Sequence, residues 1–87
     1  MKLKIRVYME LAAKVGWRER EVHVPGNSCT LRDLLESIEE FKGLLDESFT
    51  ERFVVLVNGV NARLRGGLEA TISDGDTLDI FPPAGGG

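Results

Sequence analysis

The group in this sequence most open to chemistry is not a side chain. It is the α-carboxylate of Gly87, at the end of Phe81-Pro82-Pro83-Ala84-Gly85-Gly86-Gly87. A carboxylate is a poor electrophile until one oxygen becomes part of a leaving group. An enzyme that does this to a protein must draw the chain end into a narrow cleft. Glycine suits the cleft because, with no Cβ, it is thin and reaches backbone angles closed to other residues. Ala84 adds almost no bulk, and Pro82-Pro83 pre-set an extended neck that projects the tip away from the sheet. A Gly-rich end is also what a frayed terminus looks like, and the residues alone leave both readings open.

The side chains offer little competition. There is one His and one Cys, so neither an intramolecular disulfide nor a Cys/His zinc set can form, and no phosphate-binding loop motif occurs. His23, between Val22 and Val24, points outward by alternation and reads as a solvated strand residue. Cys29 precedes a helix cap, where a helix N-terminus can lower a thiol pKa; the favoured reading is a small half-buried residue. Asp74 and Asp76 flank Gly75 as a tight turn requires, and two carboxylates are too few oxygens for calcium. Asp33, Glu36, Glu39 and Glu40 form an acidic helix face, read as solvated with docking as the alternative. Arg63-Leu64-Arg65-Gly66-Gly67 ends in a second Gly pair, but the Gly67 carbonyl lies in a peptide bond and has no acid to activate. It reads as a loop.

The elements that must hold the tail follow from periodicity. Lys2 to Met9 alternates with Leu3, Ile5 and Val7 on one face, and Arg18 to Pro25 alternates with Val22 and Val24 inward. Glu10 to Val15 between them reads as a short helical turn ended by Gly16. Thr30 caps a helix whose apolar residues Leu31, Leu34, Leu35, Ile38 and Phe41 form one stripe, ended by Gly43. Phe53 to Val57 is continuously apolar and is expected to be a central strand buried on both faces, or nearly so, followed by an Asn58-Gly59 turn and a short return strand or loop over Val60 to Leu64. Ser73 to Asp76 is a turn, Thr77 to Phe81 a last alternating strand, and Pro82-Pro83, lacking N–H groups, stop its pairing. The order gives an α+β domain over residues 1–81, one main helix on a small mixed sheet, with a flexible tail over 82–87. Phe81 falls opposite Leu78 and Ile80 by alternation, which makes it a candidate partner anchor at the base of the neck.

Hydrophobic residues make up 43% and charged residues 29%, with a net charge of −3. That is ordinary for a soluble globular domain. The absence of Lys/Arg clusters gives no nucleic-acid footprint. No segment reads as a signal peptide or a membrane span, so the expected location is the cytoplasm.

Taken with the "VNG" after the apolar strand, the "DGDTLDIFPP" segment and the terminal Gly-Gly, this element order resembles the MoaD-like small, sulfur-carrier subunit of molybdopterin synthase, within the MoaD/ThiS ubiquitin-like family. The resemblance spans nearly the whole chain and is strongest over Ser73 to Gly87. It implies a ubiquitin-like β-grasp fold. It also implies that an E1-like adenylyltransferase adenylates the Gly87 carboxylate with ATP, that a sulfur donor displaces AMP, and that the resulting thiocarboxylate donates sulfur in molybdenum or tungsten cofactor biosynthesis. Gly86 and Gly87 are then the carried site, while Phe81, Pro82, Pro83, Ala84 and Gly85 lie against the partner, the large catalytic subunit. The chain itself would be a non-catalytic co-substrate with no bound cofactor or metal. The thiamine sulfur carrier shares the fold and the ending, but is usually shorter in the first hairpin. Gly85 departs from the family, where the residue before Gly-Gly is usually not glycine. A protein modifier joined to lysines through the same tail, a carrier for thiamine or another sulfur metabolite, and a plain interaction module with an inert tail are the alternatives.

Overall fold

In the computed structural model, residues 1–83 are described. Seven strands and four short helices follow one another as β1 (Lys2–Val7), α1 (Met9–Val15), β2 (Glu19–His23), β3 (Ser28–Thr30), α2 (Leu31–Glu36), α3 (Glu39–Lys42), α4 (Phe49–Arg52), β4 (Val54–Val57), β5 (Val60–Asn61), β6 (Thr71–Ser73) and β7 (Thr77–Phe81). Two 3-10 turns, Ala62–Arg65 and Gly67–Glu69, lie between β5 and β6. The main sheet has the order β2-β1-β7-β4-β5, and β3 and β6 form a separate two-stranded sheet. The pair β1·β7 is parallel and every other pair is antiparallel. This is the mixed α+β architecture expected of a β-grasp.

The core lies on one face of the sheet. Leu3, Ile5, Val7, Val55, Val57, Leu78 and Ile80 meet Leu31, Leu34, Leu35, Ile38, Phe41 and Phe49 in a single buried cluster. Local signals account for several boundaries. Gly16 ends α1 in the left-handed region at φ 91°, Thr30 Oγ1 accepts from the Asp33 N–H at 3.1 Å as the N-cap of α2, and Asn58-Gly59 turns with φ of 51° and 84°.

Three expectations are corrected. The stripe from Leu31 to Phe41 is buried as expected, but the helix is not continuous. Ser37 Oγ donates to the Leu34 carbonyl at 2.6 Å, and Ile38 is extended at φ −105°, ψ 112° before α3 begins. A Ser hydroxyl competing for a nearby carbonyl is a known way to interrupt a helix. Second, β4 is not buried on both faces. Val55 and Val57 are buried while Val54 is exposed and Leu56 half-buried, because among the described residues no layer covers the outer face of the sheet there. β4 is an interior strand as expected, between β7 and β5, but the middle of the sheet is β7, where Leu78, Asp79 and Ile80 are all buried. Third, the return strand is shorter than expected, since β5 covers only Val60–Asn61 and the chain then coils. The small sheet of β3 and β6, which sets Cys29 opposite Ile72, has no counterpart in the sequence reading.

Candidate functional site

The tail leaves from the middle of the sheet. β7 is bonded on both sides, with Ile80 opposite Val7 on β1 and Phe81 opposite Val54 on β4. Just beyond β1, the Tyr8 N–H donates to the Ile80 carbonyl at 3.1 Å, so the pairing runs to the last residues before the neck. A strand with partners on both sides cannot fray easily, so the direction in which the chain exits is fixed at Phe81. Pro82 is buried and Pro83 exposed.

The outer face beside this exit is built from Arg6, Tyr8, Asp79 and Phe81. The rings of Tyr8 and Phe81 stack with centroids 4.3 Å apart and planes 10° from parallel. The Tyr8 hydroxyl donates to Asp79 Oδ1 at 2.6 Å. Arg6 donates through Nε to the same oxygen at 2.7 Å and through Nη2 to Oδ2 at 3.2 Å. A carboxylate inside a central strand is tolerable only with such partners. The Arg6 hydrogen bonds hold the Asp79 carboxyl below its ordinary pKa against the opposing effect of burial, with the Tyr8 hydroxyl helping. The hydrogen bond to Asp79, and then burial, push the Tyr8 phenol up. A groove of about 680 Å³ opens next to this cluster, lined among others by Arg6, Tyr8, Met9, Trp17 and Arg18.

Of the residues named from the sequence, Phe81, Pro82 and Pro83 sit together at this exit. Ala84, Gly85, Gly86 and Gly87 lie outside the described residues. Phe81 is half-buried on the face opposite Leu78 and Ile80. The sequence reading missed Asp79, Arg6 and Tyr8. The signal was present, because an Asp inside Thr77-Leu78-Asp79-Ile80-Phe81 must either face water or find partners.

Several of the other candidates take part in local structure. Asp74 Oδ1 accepts from the Lys2 N–H at 2.7 Å, and Asp76 accepts from the Ser73 N–H and from Asn58 Nδ2, each at 2.8 Å. His23 is exposed with Nε2 3.3 Å from Glu21 Oε1. Burial, and then Asp33, push the Cys29 thiol up, opposite to what an activated nucleophile needs. On the acidic helix face, Glu40 is held by Arg20 at 2.9 Å and by Trp17 Nε1 at 3.1 Å. In the internal Gly pair both residues have positive φ, 96° and 63°, and a Cβ on Gly67 would stand 2.9 Å from Thr50 Oγ1. Its glycines serve the turn. Among the described residues no group of three or more His, Cys, Asp or Glu could hold a metal ion, and no helix is long and apolar enough to cross a membrane.

Comparison with known proteins adds the following. SAMP1 from Haloferax volcanii is 26% identical, with full coverage of both chains (100% and 100%) and a TM-score of 0.74. The Amycolatopsis orientalis BexX/CysO complex contains a chain 31% identical, covering 98% of this chain and 99% of that one, with a TM-score of 0.68. A putative molybdopterin converting factor, subunit 1, from Pyrococcus furiosus shares the fold at 23% identity and a TM-score of 0.72, covering 97% of this chain and 99% of that one. No curated protein matches the sequence. The model of the ThiS family matches residues 5–87, from inside β1 through the terminal glycines. The chain therefore belongs to the ThiS family of ubiquitin-like sulfur carriers.

Proposed function

We propose that this protein carries sulfur on Gly87 for molybdopterin biosynthesis. An E1-like adenylyltransferase directs a Gly87 carboxylate oxygen onto the α-phosphorus of ATP, and pyrophosphate leaves. Sulfur from a donor at the sulfide level attacks the carbonyl carbon of the mixed anhydride, and AMP leaves with the C–O bond. The thiocarboxylate enters the large catalytic subunit of molybdopterin synthase, where its sulfur attacks a carbon of the pterin precursor; a C–S bond forms as that carbon's bond to an oxygen leaving group breaks, and the oxygen departs with the electron pair. Water then cleaves the Gly87 acyl–sulfur bond and restores the carboxylate. This chain supplies reach and orientation. Gly85, Gly86 and Gly87 present a thin end, Ala84, Pro82 and Pro83 form the neck, and Phe81 lies at its base against the partner.

The observation that carries this reading is that the family match runs through Gly87. The molybdopterin branch is supported by the run from Asp74-Gly75-Asp76 to Phe81-Pro82-Pro83 and the terminal Gly-Gly. That CysO of Amycolatopsis orientalis occurs in complex with BexX supports a carrier that works while bound to a second protein. The test is to incubate the sulfur-loaded chain with the large subunit and the pterin precursor. The reading expects sulfur in the pterin and the carrier returned to its carboxylate, both lost when Gly86 and Gly87 are deleted.

A second reading has its own support. A structural relative from Methanosarcina acetivorans, 26% identical, is a small archaeal modifier protein. In that reading a lysine amine attacks the same adenylate and forms an isopeptide bond. Lysine-linked conjugates in place of sulfurated pterin would favour it.

A further inference from the structure

Among the described residues, the exposed large hydrophobics are Met9 (70% exposed), Val54 (38%) and Leu64 (80%). All three belong to the end of the sheet from which the tail departs. Met9 follows Tyr8, whose N–H bonds Ile80. Val54 is the register partner of Phe81. Leu64 lies on the 3-10 turn that follows β5. Because β5 runs antiparallel to β4 from Val57 toward Leu56, the turn continues toward the Val54 end, where it packs against both β4 and α4. Two strand spacings, roughly 10 Å, separate β7 from that edge of the sheet.

Leu64 stands between Arg63 and Arg65. Arg6, Arg20, Arg32 and Arg52 each hold a carboxylate, whereas Arg18, Arg63 and Arg65 are in none of the ion pairs among the described residues, and two of these three flank Leu64. The turn is also built to hold its shape. Asn61 Oδ1 accepts from the Arg63 N–H at 3.0 Å, Ala62 is fully buried, and Gly66 at φ 96° returns its N–H to the Ala62 carbonyl. A preformed apolar knob flanked by two cations outside those ion pairs loses little freedom on binding.

The length of the tail says what must come near it. Four residues follow Pro83, and a chain of four spans at most about 14 Å. An enzyme that reacts with the Gly87 carboxylate must therefore bring its surface over this end of the sheet. We infer that Arg63-Leu64-Arg65 is a docking knob that seats in an apolar pocket bordered by carboxylates on the enzyme that activates Gly87. This rests on the carrier reading above. The arginines select the acidic border and speed encounter, and Leu64 supplies the buried anchor.

The test is ATP–pyrophosphate exchange by an E1-like adenylyltransferase at varied carrier concentration. Arg63→Glu/Arg65→Glu is expected to raise KM about tenfold or more with kcat little changed, and Leu64→Ser to raise it several-fold. Lys2→Glu/Lys4→Glu makes the same charge change at the opposite end of the sheet and is expected to leave KM within about twofold. Arg63→Gln/Arg65→Gln, a milder pair, guards against a folding defect that circular dichroism would reveal. If both arginine pairs keep the wild-type KM, or match the lysine control, the knob is overturned while the carrier reading stands. If the wild-type chain is not adenylated at all, both fall.

Discussion

Tyr8 lies flat on Phe81, with ring centroids 4.3 Å apart, while its hydroxyl holds Asp79 two residues earlier on β7. One side chain from beyond β1 thus grips the last strand at two points just before the neck. Tyr8→Phe keeps the stack and loses the hydrogen bond, and Tyr8→Leu loses both. In urea unfolding, Tyr8→Leu is expected to be less stable than Tyr8→Phe, and both less stable than wild type. Equal midpoints for the two variants would show that the stack contributes nothing.

The same cluster makes stability depend on pH at both extremes. The Asp79 pKa is lowered in the folded state, chiefly by Arg6. Its contribution is present above the unfolded Asp value of about 3.9 and is lost as pH falls through the lower folded value. The Tyr8 pKa is raised, chiefly by its bond to Asp79. Its contribution is present below the unfolded Tyr value of about 10 and is lost as pH rises through the higher folded value. Denaturant midpoints across pH should fall at both ends. Asp79→Asn should flatten the acid limb, and Tyr8→Phe the alkaline limb.

Gly67 has no room for a side chain. Its φ is 63° and an added Cβ would meet Thr50 Oγ1 at 2.9 Å. Gly67→Ala should destabilise the fold by about 2 kcal/mol, from the left-handed backbone and the clash together. Wild-type stability in that variant would show that the loop shifts freely.

Thr30 makes a local contribution that can be measured alone. Its Oγ1 accepts from the Asp33 N–H at the start of α2. Thr30→Ala should cost about 1 kcal/mol in urea unfolding, and Thr30→Ser should recover most of it.

What the sequence made legible was local. Gly16, Thr30 and Asn58-Gly59 mark their boundaries through backbone angles and caps that depend on a few neighbours. The inward set Leu3, Ile5, Val7, Leu78 and Ile80 follows from alternation, and so does the outward face of Phe81. What escaped was long-range. The Tyr8–Asp79 bond joins residues 71 apart, and nothing local says that β7, not β4, takes the central position. The helix break at Ser37-Ile38 escaped because the apolar stripe runs unbroken across it. The pairing of β3 with β6 escaped because three-residue strands carry little periodicity. In the candidate site, Phe81 and the prolines were legible from alternation and from missing N–H groups. Arg6 and Tyr8 were not, because their role depends on the parallel register of β1 with β7.

The central claim is that the Gly87 carboxylate is the group this protein exists to present. The most direct measurement is intact-protein mass spectrometry after incubation with an E1-like adenylyltransferase, ATP and a sulfide source. The account predicts a mass gain equal to one oxygen replaced by sulfur, dependent on ATP and absent when Gly86 and Gly87 are both deleted. No gain, with an enzyme that converts another carrier in the same assay, would contradict it.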